Sequence, residues 1–295
     1  MNLNLSSTNF LIINILAAVI GIYFILKSKK NKDKSISSKS IRLNFYEKSY
    51  FYKGANYIHN TIIAMLLYLN ECNAINIEKT FYKNRKGEDA INYIFTKGNL
   101  ENIDNVLAKL IDIIFSFSDN DKISSRELNK IRRDAPDDYN NKFYELIDLL
   151  EKQFVKLGLK KEHSSSDKVL TNFLGFFILL GLGMISIYNS AYIGVINIVL
   201  SIMFFGLSIS NVAELPQAGK NKFEELSKLE TRLKKLELDT GDPTLVAIGF
   251  GLKYENILAI RNKSNNGYDI YFDSDRSDFQ STMRTALVGD SFLVK

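Results

Sequence analysis

Residues 184–195 read MISIYNSAYIGV and lie near the middle of a run, Val169 to Ala213, that holds no Asp, Glu, Lys, Arg or His over about 45 residues. As one straight helix at ~1.5 Å per residue this run would measure roughly 68 Å, more than twice the ~30 Å hydrocarbon core of a bilayer. One crossing cannot use that length. Two can, if the chain turns near the midpoint through polar residues. Tyr188, Asn189, Ser190 and Tyr192 meet that need, because Asn and Ser favour turns and Tyr favours a membrane–water boundary. The pattern predicts a transmembrane hairpin with helices over 169–188 and 191–209 and those four residues at its tip. The competing reading, two buried helices of a protein core, is disfavoured by the length of the uncharged run. Gly175, Gly181 and Gly183 on one helix and Gly194 and Gly206 on the other would let the two approach closely. With no ionisable residue in the hairpin, nothing there points to a transporter or channel.

A third apolar run, FLIINILAAVIGIYFIL over 10–26, is at the short end for a span. A cleaved signal peptide would carry positive charge before the run, but residues 1–9 have none and the basic stretch follows. The chain's net charge of +5 is concentrated there. Lys27, Lys29, Lys30, Lys32 and Lys34 form the cluster that sets topology, with Lys27 inside and the N-terminus outside. Lys152, Lys156, Lys160 and Lys161 before the hairpin and Lys220 and Lys222 after it point the same way. The expected order is an external N-terminus over 1–9, a first span over 10–26 and a basic juxtamembrane linker over 27–42. A cytoplasmic domain over 43–165 follows, then the hairpin, a cytoplasmic helical region over 214–260 and a partly mobile tail over 261–295. The fold class so read is an α-helical membrane protein with three transmembrane helices and a cytoplasmic α+β winged-helix-like domain. It would sit in the inner membrane, with the lipid bilayer as its first partner.

The 43–165 region contributes the α+β character. ANYIHNTIIAMLLYLNEC has apolar residues at Ile58, Ile62, Ile63, Leu66, Leu67 and Leu69, a helix with a wide buried face. AINIEKTFYKN and AINYIFTKG alternate as two strands joined over Arg85-Lys86-Gly87-Glu88. ENIDNVLAKLIDIIFSF is a second amphipathic helix, and Ser124 and Glu127 are spaced as a capping box opening a third. A last helix over 137–157 turns Phe143, Leu146, Leu149, Leu150, Phe154 and Leu157 to a core. Arg126, Lys130, Arg132 and Arg133 would lie on a recognition helix, yet residues 42–165 carry almost balanced charge. DNA affinity needs phosphate neutralisation, so nucleic acid is disfavoured as a partner. After the hairpin, KFEELSKLETRLKKLEL places Phe223, Leu226, Leu229, Leu233 and Leu236 on one face. PTLVAIGFGL is a short helix, and YDIYF reads as a strand.

The inventory for chemistry is thin. The composition, rich in Ile, Asn and Lys with no Trp and 3 Pro, reflects coding bias more than function. A single cysteine, Cys72, allows no internal disulfide and reads as a buried, inert thiol. His59 and His163 have no ligand partners at suitable spacing. Asp273, Asp275 and Asp278 resemble part of a calcium loop, but Arg276 intrudes and the Gly and closing Glu are missing. Nucleotide, hydrolase and metalloprotease motifs are absent. No cofactor, metal or catalytic residue is expected.

The order of parts resembles the C-terminal half of the YciQ-like predicted membrane proteins of bacteria and archaea, a family of unknown function. TIIAMLLYLNECNAINIEK is similar to that family's helix-then-strand opening of its cytoplasmic domain. GKNKFEELSKLETRLKKLE is similar to the helix after its hairpin. DPTLVAIGFGLKYE is similar to its Ala-x-x-x-Gly segment, with Ala247 and Gly251 as the match. The large extracytoplasmic domain and the Pro-Tyr pair of the family are missing. The resemblance covers about residues 10–258 and implies an architecture, not a reaction. The expected function is that of a non-enzymatic, membrane-anchored interaction or scaffold module that binds a protein partner or itself. The alternatives are a membrane-tethered winged-helix regulator that binds DNA, and an enzyme whose site forms between the 43–165 and C-terminal regions, marked by a polar pocket lined from both.

Overall fold

Helix α3 (Ile58–Glu71) is apolar nearly all round, and from Ile58 to Leu67 every side chain is buried, as a helix surrounded by other elements must be. The computed structural model describes residues 12, 14–23, 41–84, 86–101, 103–160, 165–188, 192, 194–213, 215–265, 267–273 and 278–287. The chain divides into two units, one of residues 1–38 and 158–220, the other of residues 39–157 and 221–295.

In the second unit α2 (Phe45–Lys53) opens with a capping box. Glu47 N donates to Asn44 Oδ1 at 2.9 Å and Asn44 N to Glu47 Oε2 at 2.7 Å. Then come α3, strands β1 (Ile75–Lys83) and β2 (Asp89–Lys97), α4 (Asn105–Phe115), β3 (Lys122–Ser124), α5 (Ser125–Asp134) and α6 (Pro136–Lys156). The sheet is antiparallel in the order β1-β2-β3, with Ile77 opposite Phe95 and Phe95 opposite Ile123. These three and Tyr93 are buried, so one face closes on the helices. The Ser124–Glu127 capping box forms. After the other unit's helices the chain continues in α9 (Gln217–Lys234), α10 (Pro243–Gly249), α11 (Tyr254–Ser264) and α12 (Asp278–Leu287). Every residue of α10 is buried between α2, α3 and α11. A Cβ on Gly249 would lie 2.0 Å from Ser49 Oγ, so only glycine permits the α2–α10 approach. Helix α12 packs on α5, α3 and β2.

The winged-helix-like reading does not hold. A wing hairpin follows its recognition helix, whereas β1-β2 precedes α5 and the third strand lies between α4 and α5. The unit is helical with a small three-stranded sheet. YDIYF forms a 3-10 turn, Asp269–Tyr271, rather than a strand.

In the first unit residues 14–23 are helical (α1), followed by α7 (Ser165–Tyr188) and α8 (Gly194–Ala213). Helices α7 and α8 pack along each other around Leu179, Leu200 and Phe204, joined by Ala18. A Cβ on Gly194 would meet Gly183 O at 2.5 Å, and one on Gly175 would meet the Phe204 ring at 3.0 Å. Gly181 and Gly206 face open space. Asn14, Ser186 and Asn197 are buried and linked. Asn14 Oδ1 accepts from Ser186 Oγ at 2.7 Å and from Asn197 Nδ2 at 2.6 Å. The outer faces leave Leu174, Phe177, Ile178, Ile202 and Met203 exposed.

The membrane reading is corrected here. Among the described residues no helix is long and apolar enough to cross a membrane, so the three expected transmembrane helices are not shown, which conflicts with the integral-membrane assignment. A charge-free run is shared by bilayer spans and by helices that bury against one another. In α7 and α8 it serves close mutual packing, with polar Ser186, Asn197 and Ser201 in the interior. Of the hairpin tip, Tyr188 and Tyr192 are exposed, and Asn189 and Ser190 lie outside the described residues. Lys27, Lys29, Lys30, Lys32 and Lys34, on which the orientation rested, also lie outside them.

Candidate functional site

The described residues enclose one sizeable polar cleft in the second unit, of about 780 Å³. One wall is the turn entering α3, with Asn56, Tyr57, His59 and Asn60. The other is α12, with Gln280, Ser281, Arg284 and Thr285, which recur at helical spacing and so share one face. Gly251 closes the end. The cleft is thus lined from both the 43–165 region and the C-terminal region, although no carboxylate lines it.

Local sequence sets each wall. Gly54, at φ +72°, ends α2, and a single 3-10 turn (Ala55–Tyr57) leads straight into α3. Tyr57 is thereby left exposed, its ring stacked near His59 with centroids 6.3 Å apart and planes 26° apart. Gly251 follows α10 at φ +68°, a left-handed conformation that glycine adopts at little cost. A Cβ there would lie 2.5 Å from Asn60 Nδ2. Helix α12 is held by Phe279, Met283, Ala286 and Leu287, all buried, which turns the opposite face to the cleft.

His59 and Asn60 are both more than nine-tenths buried, at 7% and 5% exposure. Neither side chain has a hydrogen-bond partner among the described residues, and His59 Nδ1 is fully enclosed. Burial, aided by the charge of Arg284, pushes the His59 pKa down to about 4, so the imidazole is neutral at pH 7. Around them Gln280, Ser281 and Thr285 are committed. Gln280 Oε1 accepts from Tyr271 OH at 2.9 Å, Ser281 Oγ donates to Asp278 O at 3.0 Å, and Thr285 Oγ1 donates to Ser281 O at 3.0 Å. No hydroxyl of the lining is paired with His59, so the nucleophile-and-base geometry of acyl transfer is not assembled. The set is one cation, a neutral imidazole, amides and hydroxyls, a set that can hold a ligand.

The other sequence-derived candidates lie elsewhere. The Arg126 guanidinium sits 4.6 Å from the centre of the Tyr82 ring, Arg132 Nη2 donates to Asn129 Oδ1 at 2.9 Å and to Thr285 O at 3.4 Å, and Arg133 Nε donates to Asn129 O. With α12 packed on α5, only Lys130 of the four cations is left without such a contact. Asp273 and Asp278 meet at Lys79 Nζ, 2.7 and 3.2 Å away, an ion pair in place of a calcium loop. Among the described residues no group of His, Cys, Asp and Glu has metal-binding geometry. Asp275 and His163 lie outside them. Cys72 is exposed, not buried as expected, because α3 ends just before it and the chain turns outward. Phe223, on the apolar face of α9, is exposed yet packs on Tyr52 with ring centroids 5.0 Å apart, while Leu226, Leu229 and Leu233 are buried.

Sequence reasoning named His59 only as an isolated histidine and missed α12. The signal was present in DFQSTMRTAL, where Phe279, Met283, Ala286 and Leu287 recur at helical spacing. No family model, curated protein or solved structure matches this chain. The resemblance to the YciQ-like proteins therefore stands on its three stretches alone.

Proposed function

We propose that the second unit is a non-enzymatic binding module whose cleft between α3 and α12 receives a small molecule. The observation that carries this reading is the pair His59 and Asn60, buried side chains that line the cleft without hydrogen-bond partners. Buried polar groups are ordinarily satisfied by protein, water or ligand, and leaving one unmade costs about 1–3 kcal/mol. The volume falls within the ~300–1,000 Å³ of small-molecule sites. A ligand bridging α3 and α12 would also join the 43–165 region to the C-terminal segment, which suits an interaction module that responds to what it binds.

The test is a mixed-charge fragment screen of the full-length protein by ligand-observed NMR, run beside Ser281→Trp. Ser281 is exposed at the mouth, and the indole would fill the cleft. Fragments bound by the wild type and lost in the variant are expected. If every hit binds both proteins alike, the cleft is not the site and the reading is wrong.

A further inference from the structure

The charge of the cleft selects among ligands. Arg284 is the one charged residue in its lining, is exposed on α12 and has no ion pair among the described residues. Lys79 and Lys53 of this unit find carboxylates, Asp273 at 2.7 Å and Glu230 at 3.1 Å, and Arg284 does not. The guanidinium is always charged and presents a planar fork that matches carboxylate and phosphate oxygens two bonds at a time. A cationic ligand would meet it with no carboxylate in the lining to compensate. A neutral ligand would leave its strongest donor to water.

The rest of the lining fits an anion with an organic body. Asn60 offers an unpartnered amide from the buried wall, and the missing Cβ of Gly251 keeps that amide in place. The Tyr57 ring, half exposed, gives an apolar face at the rim. His59 adds no second positive charge near pH 7 and can meet a neutral polar group on the ligand.

We propose that the cleft binds a small organic anion, a carboxylate or a phosphate monoester, with its acidic group on the Arg284 guanidinium and its polar body against Asn60. This rests on the reading of the cleft as a ligand site and adds the ligand's chemical class.

The experiment titrates the full-length protein with benzoate and phenyl phosphate beside their neutral counterparts benzamide and benzyl alcohol. It is repeated on Arg284→Gln, Arg284→Lys and the cleft-filling Ser281→Trp. The expected result is binding of at least one anion about tenfold or more tighter than its neutral counterpart, lost in Arg284→Gln and in Ser281→Trp. Partial retention in Arg284→Lys is expected, because an ammonium keeps the charge without the fork. The better of the two anions separates a carboxylate ligand from a phosphate ester. Neutral and anionic probes bound equally, both insensitive to Arg284→Gln but lost in Ser281→Trp, would overturn the anion class and leave the cleft as a ligand site. Absence of any cleft-dependent binding at millimolar probe would overturn both. Arg284 is exposed, so Arg284→Gln is expected to unfold at the wild-type temperature, and that midpoint is the folding control.

Discussion

The hydroxyl of Tyr139, wholly buried on α6, points at the carbonyl oxygens of Ala286 and Leu287, 3.4 and 3.3 Å away at the end of α12. Burial raises the phenol's pKa, so it stays a donor. This contact ties down the helix that forms one wall of the cleft. Tyr139→Phe is expected to cost about 1 kcal/mol in urea unfolding and to speed amide exchange over 283–287. Unchanged exchange in α12 would show that the helix is held by its apolar face alone.

His59 makes stability depend on pH. Its folded-state pKa of about 4 lies below the ordinary imidazole value of 6.5, so between these values the unfolded chain binds the extra proton. Stability is therefore expected to rise as pH goes from about 4 to 6.5 and to be lost on acidification through that window, by on the order of 2 kcal/mol. Thermal midpoints of His59→Leu across the same range are expected to slope less than those of the wild type. Parallel slopes would show that the imidazole titrates normally.

Glycine positions separate tight from open packing. At Gly249 an added methyl meets Ser49, whose Oγ already donates to Phe45 O at 2.7 Å. Gly249→Ala should destabilise by about 1–3 kcal/mol through overpacking. Gly181 faces open space within α7, so Gly181→Ala should stabilise by up to ~1 kcal/mol through helix propensity. Opposite signs in the denaturant midpoints are the expected outcome, and equal losses would refute the contrast.

In the first unit Asn14 Oδ1 is the shared acceptor of Ser186 and Asn197, and Asn197 Oδ1 is itself unpartnered. Asn14→Leu removes that acceptor and is expected to cost about 1–3 kcal/mol, read from the loss of helical circular dichroism on heating. Asn14→Leu combined with Asn197→Leu should recover part of the loss, since the amide of Asn197 no longer lacks its acceptor and Ser186 Oγ keeps Leu182 O at 2.6 Å. A double variant as unstable as the sum of the singles would exclude coupling between the two residues.

Local pattern was legible where a segment's own residues decide its form. The alternation from Ile75 to Lys83 and from Asp89 to Lys97 marked the hairpin, and Ser124 with Glu127 marked the start of α5. The same logic was available at Asn44-Phe45-Tyr46-Glu47, a capping box that opens α2, and in the spacing of α12, but neither was drawn from the sequence. β3 is three residues long, too short for alternation to register. Its place is set by the pairing of Ile123 with Phe95.

Nothing local marks the cleft. His59 and Asn60 are adjacent in an apolar helix, and Arg284 lies more than 200 positions away among polar residues. They meet because α10 and α12 both pack on α3, and neither segment's own periodicity says which partner it packs on. The uncharged run over 169–213 shows the same limit from the other side. Its composition determined two helices and a turn. That those helices pack on each other through the close approach of Gly183 to Gly194, with Ser186 and Asn197 buried, is set by the tertiary structure. By itself the sequence determined most of the helices and the β1-β2 hairpin, because hydrophobic period and capping act within a few residues. Tertiary structure alone decided what each helix packs against and which polar groups are left facing a cavity, because both are set by contacts between segments distant in the chain.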